Sequence, residues 1–236
     1  MSVRLNELRT KIKSLSNPEI SKTMRWFFKT GKGDYGEGDV FAGLNVPAQR
    51  KLAREFKDLS KSDLKILLKS RLHEERLISL FILVDKYENA QEKEREKIFS
   101  LYLKNRKRIN NWDLVDLSAP KIIGKHLLNK DKSLLFKFAV SKNLWERRIA
   151  ILSTYEFIRN DKFDATMKIA ALLLRDEHDL IHKAVGWMLR EIGKRDLQTE
   201  EKFLKAHYKK MPRTMLRYAI EKFPETKRKK YLQGKI

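Results

Sequence analysis

The chain has 236 residues, with 53 Lys and Arg against 31 Asp and Glu, and a formal charge of +22. Self-repulsion on that scale opposes the compact state unless a polyanion relieves it, so nucleic acid is the leading partner class and an anionic membrane surface its rival. With 42% hydrophobic residues the chain buries a core and is no basic tail; with no cysteine it has neither disulfides nor thiolate metal sites.

Near the start, "GKGDYGEGDVFAG" (residues 31–43) contains a formal G-x-G-x-x-G from Gly31 to Gly36. No strand precedes it, and Asp34, Glu37 and Asp39 would repel a pyrophosphate, so it reads as a loop. It connects N-terminal helices to "VPAQRKLAREF". Beyond it "RLISLFILVDKY", "RIAILSTYEFI", "MKIAALLLRD" and "IHKAVGWMLREIGK" place apolar residues at helical spacings. Pro120 and Pro212 read as breaks or first-turn residues; Pro18, Pro47 and Pro224 lie in or beside connections. No stretch alternates as a strand does, and the class is all-α.

The helices repeat. Ser79, Ser118, Ala150, Ala184 and Ala219 recur in similar contexts at intervals of about 35 residues, one helical hairpin per unit, the mark of a HEAT-like or TPR-like solenoid. Small residues at a fixed place let neighbouring helices approach closely. Two residues before each stand Leu77, Asp116, Arg148, His182 and Arg217, a position that turns polar after the first unit. In an α-α superhelix such positions share one concave face. No linker rich in Pro, Gly or Ser divides the chain, so one domain over 1–236 is expected, with N-terminal helices and the glycine-rich loop over about 1–60 and repeats over about 61–236.

Several residues invite a chemical reading. His178 and His182 are four apart on a helix, but "HDLIH" lacks the H-E-x-x-H pattern and a third ligand, so they read as structural. Of the four tryptophans, Trp26 and Trp145 have core packing as their default, Trp145 as a staple at a helix start. Trp112 lies among Asn110, Asn111 and Asp113, a polar setting for an indole, and Trp187 follows Gly186, which leaves room beside the ring. Asp113 suits the positive end of a helix; Asp116 lies deeper and falls in the polar row with Arg148. These features fit an enzyme acting on a polyanion. Charge and repeats alone fit a non-catalytic solenoid for damaged or branched DNA or for RNA equally well, and a peptide scaffold less well.

"NNWDLVDLSAP", "NLWERRIAIL" and "LIHKAVGWMLREIGK", in that order and spacing, resemble the bacterial DNA alkylation repair glycosylases of the AlkD family. The resemblance extends to "DVFAGLNVPAQRKL" near the start and "MPRTMLRYAIEKF" near the end. It implies a HEAT-like solenoid whose basic concave face cradles duplex DNA. It further implies release of cationic N3- or N7-alkylated purines such as 3-methyladenine and 7-methylguanine. The active-cleft positions match Asp116, Trp112, Trp187 and Arg148, with Asp116 the second acid of W-D-x-x-D. Contacts to DNA are expected from Asn45, where known members carry glutamine, and from Asp113, Lys183, Arg190, Arg213 and Arg217. No cofactor or metal is expected, and the protein would act as a monomer in the bacterial cytosol on the nucleoid. No apolar run is long enough to span a membrane and no signal pattern is seen.

Overall fold

A computed structural model describes residues 2–236. It is all-helical, consistent with an α-α repeat fold; among the described residues the nearest approach to a sheet is an isolated bridge between Val40 and Leu72. The chain divides into two compact units, Met1–Ser118 and Ala119–Ile236.

The first unit comprises α1 (Val3–Ser14), α2 (Pro18–Phe27), α3 (Val46–Glu55), α4 (Lys61–Leu68), α5 (His73–Asn89), α6 (Glu92–Asn105) and the short α7 (Trp112–Asp116). Side-chain caps start many of them. Ser2, Asn17, Asn45, Ser60 and Asn111 each accept a backbone N–H that the first turn would leave without a partner. The apolar segment predicted around "RLISLFILVDKY" is α5, buried along most of its length and packed by α3, α4, α6 and α7. By contrast α2 buries none of its residues. Trp26 is 73% exposed, which corrects the core packing expected for it. Two hydrogen bonds to the strand-like segment before α3 hold α2: Asn17 N–H donates to Ala42 O at 2.9 Å and the Ser21 hydroxyl to Phe41 O at 2.7 Å. Gly43, at φ 87°, lies so near the Asn17 carbonyl that no Cβ fits.

The second unit begins with a π-helical turn, Pro120–Gly124, and α8 (Lys125–Leu127). It continues with α9 (Ser133–Ala139), α10 (Leu144–Arg159), α11 (Asp164–Leu172), α12 (Asp179–Gly193), α13 (Leu197–His207), α14 (Arg213–Ala219) and α15 (Glu225–Leu232). α10 packs on α9, α11 and α12, and α12 packs on α13 and α14. The prolines behave as boundary residues: Pro18 and Pro47 fall in first turns, Pro120 opens the π turn, and Pro212 and Pro224 immediately precede α14 and α15.

The five small residues are all fully buried. Ser79, Ala150 and Ala219 are the seventh residues of α5, α10 and α14; Ser118 is seventh from the start of α7, and Ala184 is sixth in α12. Where the position is serine, its hydroxyl is bonded, Ser79 to the Leu64 carbonyl and Ser118 to Leu114 O and Tyr102 Oη. Glycines extend the same device. A Cβ on Gly186 would meet the Met215 carbonyl and Tyr218 on α14, so Gly186 serves helix contact rather than leaving room beside Trp187. Such interfaces have no slack. Ala150→Leu should therefore cost about 1–3 kcal/mol by overpacking, read as a lowered urea midpoint; an unchanged midpoint would show that the position has room.

Candidate active site

In the first unit the W-D-x-x-D segment forms α7, a helix of five residues. Trp112 and Asp116 lie four apart, hence one above the other on the same helix face. Both are half-buried. The Trp112 ring stacks on Phe28 with centroids 5.2 Å apart and takes the edge of Phe27 at 5.8 Å. Asp116 is close enough to the buried Tyr102 hydroxyl that its charge, after burial itself, pushes that phenol's ionisation upward.

Asp113 goes the other way. It is 4% exposed, its Oδ1 accepts the Leu114 N–H at 2.8 Å, and its Oδ2 faces His73 Nε2 at 2.8 Å. Its carboxylate is thereby enclosed with a partner inside the unit. The opposite ring nitrogen of His73 faces Asp39 Oδ2 at 3.0 Å, and Asp39 Oδ1 accepts from Arg76 at 2.7 Å. Burial pulls His73 toward its neutral form and Arg76 adds to this, but Asp113 and Asp39 outweigh both and raise the ring from 6.5 to about 9. Burial likewise opposes ionisation of Asp39, yet His73 and Arg76 hold it below the ordinary carboxylate value.

The glycine-rich loop is indeed a loop, and two of its acids close it. Asp34 accepts from Gly31 N–H at 3.1 Å and Glu37 from Gly33 N–H at 2.9 Å. Its far end is clamped by Glu74, whose buried carboxylate accepts the N–H groups of Ala42, Gly43 and Leu44. That clamp delivers Asn45 to the start of α3, exposed, with its carbonyl capping Ala48 at 2.9 Å.

In the second unit Arg148 is on α10 and Trp187 on α12. Arg148 is only 5% exposed, and one guanidinium N–H donates to the Leu180 carbonyl at the start of α12. The Trp187 indole is half-buried; its Nε1 donates to Glu191 at 3.0 Å and its ring lies 6.1 Å from Tyr155. Trp145 is buried as expected, at a helix start capped by Asn143. The expected DNA contacts differ in readiness. Arg213 and Arg217 are exposed, Arg213 donating to the Leu232 carbonyl at 2.6 Å. Lys183 pairs with Asp179 at 2.6 Å and Arg190 with Glu221. His178 caps α12 through Nδ1 and His182 bonds the Asp176 carbonyl, so both do backbone work.

Sequence reasoning missed His73 and Glu74. Their signal is a run of four charged or titratable residues, His73 to Arg76, opening a helix whose next eight residues are apolar but for Ser79.

Stacked helical hairpins with a half-buried Trp-Asp pair on a short helix define the class as a helical-repeat protein with a candidate acid site. The chain belongs to the DNA alkylation repair enzyme family, which matches residues 8–223. A solved structure described as a predicted DNA alkylation repair enzyme from Enterococcus faecalis is similar, with a TM-score of 0.69 at 19% identity, over 89% of this chain and 97% of that one. At that identity the likeness is one of fold. No curated protein matches. Among the described residues no helix is long and apolar enough to cross a membrane.

Two buried groups weaken the fold as pH rises between 4.5 and about 9. Folded His73 retains a proton that the unfolded chain gives up above 6.5, so its stabilisation is complete below 6.5 and is lost as pH rises through about 9. Glu200, buried on α13, acts with the same sign: burial first, then Glu201, pushes it up to about 8, against Arg190 and Lys227. Urea midpoints should fall with rising pH over this span. Glu200→Gln should remove the part of the fall centred lower and keep the part near 9.

Proposed function

We propose that the protein is a monofunctional DNA glycosylase hydrolysing the N-glycosidic bond of cationic N3- or N7-alkylated purines in duplex DNA. Membership of a DNA alkylation repair family supports the substrate class. The observation that carries the chemistry is the divergence of two acids on α7: Asp113 is enclosed with His73, while Asp116 stays partly accessible one turn from a stacked indole.

An alkylated purine bears formal positive charge and leaves as a neutral base when the C1′–N bond breaks, taking the bonding electrons with it. Little acid catalysis is needed. What the site must supply is stabilisation of the oxocarbenium-like sugar and a water for C1′. Asp116 does the first as an anion and accepts the proton of the attacking water in the second. Trp112 and Trp187 offer aromatic faces to the developing cation. Arg148 is assigned to a phosphate beside the lesion. Asn45, Lys183, Arg190, Arg213 and Arg217 are assigned to the duplex, Lys183 and Arg190 by exchanging a carboxylate partner for phosphate. The base is not captured in a fitted pocket, so selectivity follows the lability of the lesion. The protein acts as a monomer, without cofactor, on the bacterial nucleoid.

Asp116→Asn should lower single-turnover release of 7-methylguanine by about a hundredfold or more while DNA affinity is kept. Unchanged turnover would remove Asp116 from the chemistry; no release by the wild type would leave a non-catalytic DNA-binding protein. Neutral lesions test the mechanism separately: hypoxanthine and uracil should be released poorly, and efficient release of either would overturn it.

A further inference from the structure

The glycosylase reading uses Trp112 and Asp116 but leaves unexplained why a group of four buried charged residues is anchored on the same short helix through Asp113. Asp39, His73, Arg76 and Asp113 are each at least nine-tenths buried and come from three places: the glycine-rich loop, the start of α5 and the start of α7. Buried ions of this kind are costly, and replacing them with apolar residues is often neutral or better for stability. Stability alone is therefore a weak reason for the cluster.

Its geometry suggests a different one. Both ring nitrogens of His73 face carboxylate oxygens, at 2.8 Å from Asp113 and 3.0 Å from Asp39. Carboxylates only accept, so both nitrogens must donate and the ring is an imidazolium. With Arg76 on Asp39 the cluster then holds two cations and two anions. The same ring stacks on Phe41 at 4.6 Å and meets Phe28 at 5.0 Å, and Phe28 in turn stacks on Trp112 at 5.2 Å. His73 thus reaches α7 by two routes, an ion pair to its second residue and a ring column to its first.

We propose that His73 is a positioning residue for the reaction assigned to Trp112 and Asp116: engaged by Asp39 and Asp113 at once, it fixes the start of α7 and so sets where the indole and the catalytic carboxylate stand. The effect of activity loss rests on the glycosylase reading; the effect on Trp112 does not. The groups facing His73 are Asp39 from the loop, Asp113 from α7, Arg76 one turn along α5, and the non-titrating rings of Phe28 and Phe41. Losing the His73 proton would leave two carboxylates with a single cation, and their repulsion would release α7.

The test compares wild type with His73→Gln, a neutral side chain that cannot hold both carboxylates as a cation. Three quantities are read across about pH 6 to 10: single-turnover release of 7-methylguanine at saturating enzyme, affinity for unmodified duplex, and the emission of Trp112. The last is isolated by subtracting the spectrum of the matching Trp112→Phe protein, with circular dichroism confirming that each sample is folded. At neutral pH, His73→Gln should release base about tenfold more slowly or worse, because small displacements of catalytic groups are expensive, with duplex affinity unchanged. In wild type both excision and Trp112 emission should change as pH passes about 9; in His73→Gln that inflection should vanish. A folded His73→Gln with wild-type rate and wild-type Trp112 emission overturns the proposal. Should the variant fail to fold, the wild-type series decides: Trp112 emission flat through about 9 overturns it, and an inflection there supports it. If wild type frees no alkylated base yet Trp112 emission shows the inflection, the glycosylase reading falls and the positioning role stands.

Discussion

A helix of five residues cannot hold itself together: nucleation costs more than so few hydrogen bonds return. The position of α7, and with it of Trp112 and Asp116, is therefore borrowed from its surroundings. The lenders can be named. Asn111 caps the helix through Trp112 N–H at 2.8 Å, His73 holds Asp113, and Phe28 supports the indole. The ion cluster matters most among these, since removing one member of a buried pair leaves an uncompensated charge at a cost of about 3–5 kcal/mol. α5 contributes through its buried length: it presents His73, Glu74 and Arg76 at its opening because the rest of the helix is locked by apolar neighbours.

The same dependence reaches the loop. Glu74 gathers three consecutive backbone N–H groups at residues 42–44, next to His73 in sequence, while His73 takes hold of Asp39 a few residues upstream. One turn of one helix thereby fixes both the loop and α7. The loop's glycines allow this: Gly43 adopts φ 87° and passes the Asn17 carbonyl too closely for any side chain. In the second unit the organising contact is apolar. Ala150, Ala184, Gly186 and Ala219 thin the helix surfaces until backbones approach, and precision there comes from packing.

What could be read from the chain follows from which interactions are local. Helical periodicity revealed α5, α10, α11 and α12, and the recurrence of Ser79, Ser118, Ala150, Ala184 and Ala219 carried over as a nearly constant place in successive helices. Prolines and asparagine caps mark boundaries for reasons contained in a few residues. Trp26 was misjudged because exposure of an aromatic depends on what packs over it, and α2 is held by hydrogen bonds to the carbonyls of residues 41 and 42. Gly186 was misjudged because its neighbour is a carbonyl about thirty residues away. His73 was invisible for the same reason: its partners are 34 and 40 positions distant, and a single histidine at a helix start carries no pattern.

The two acids of α7 show how finely such remote contacts divide a local motif. Asp113 and Asp116 are chemically identical and three residues apart, close enough that two like charges on one helix would repel. His73 cancels the first at 2.8 Å and removes it from the field felt by the second. If the site acts as proposed, facing a phosphate-rich polymer and a developing cation at one place, it benefits from having one of the two acids enclosed. Two accessible acids would deepen repulsion from the backbone phosphates without adding a second position from which to reach one anomeric carbon. On the glycosylase proposal, enclosing Asp113 with a cation serves the chemistry as well as the architecture: one carboxylate anchors the helix while the other stays partly accessible.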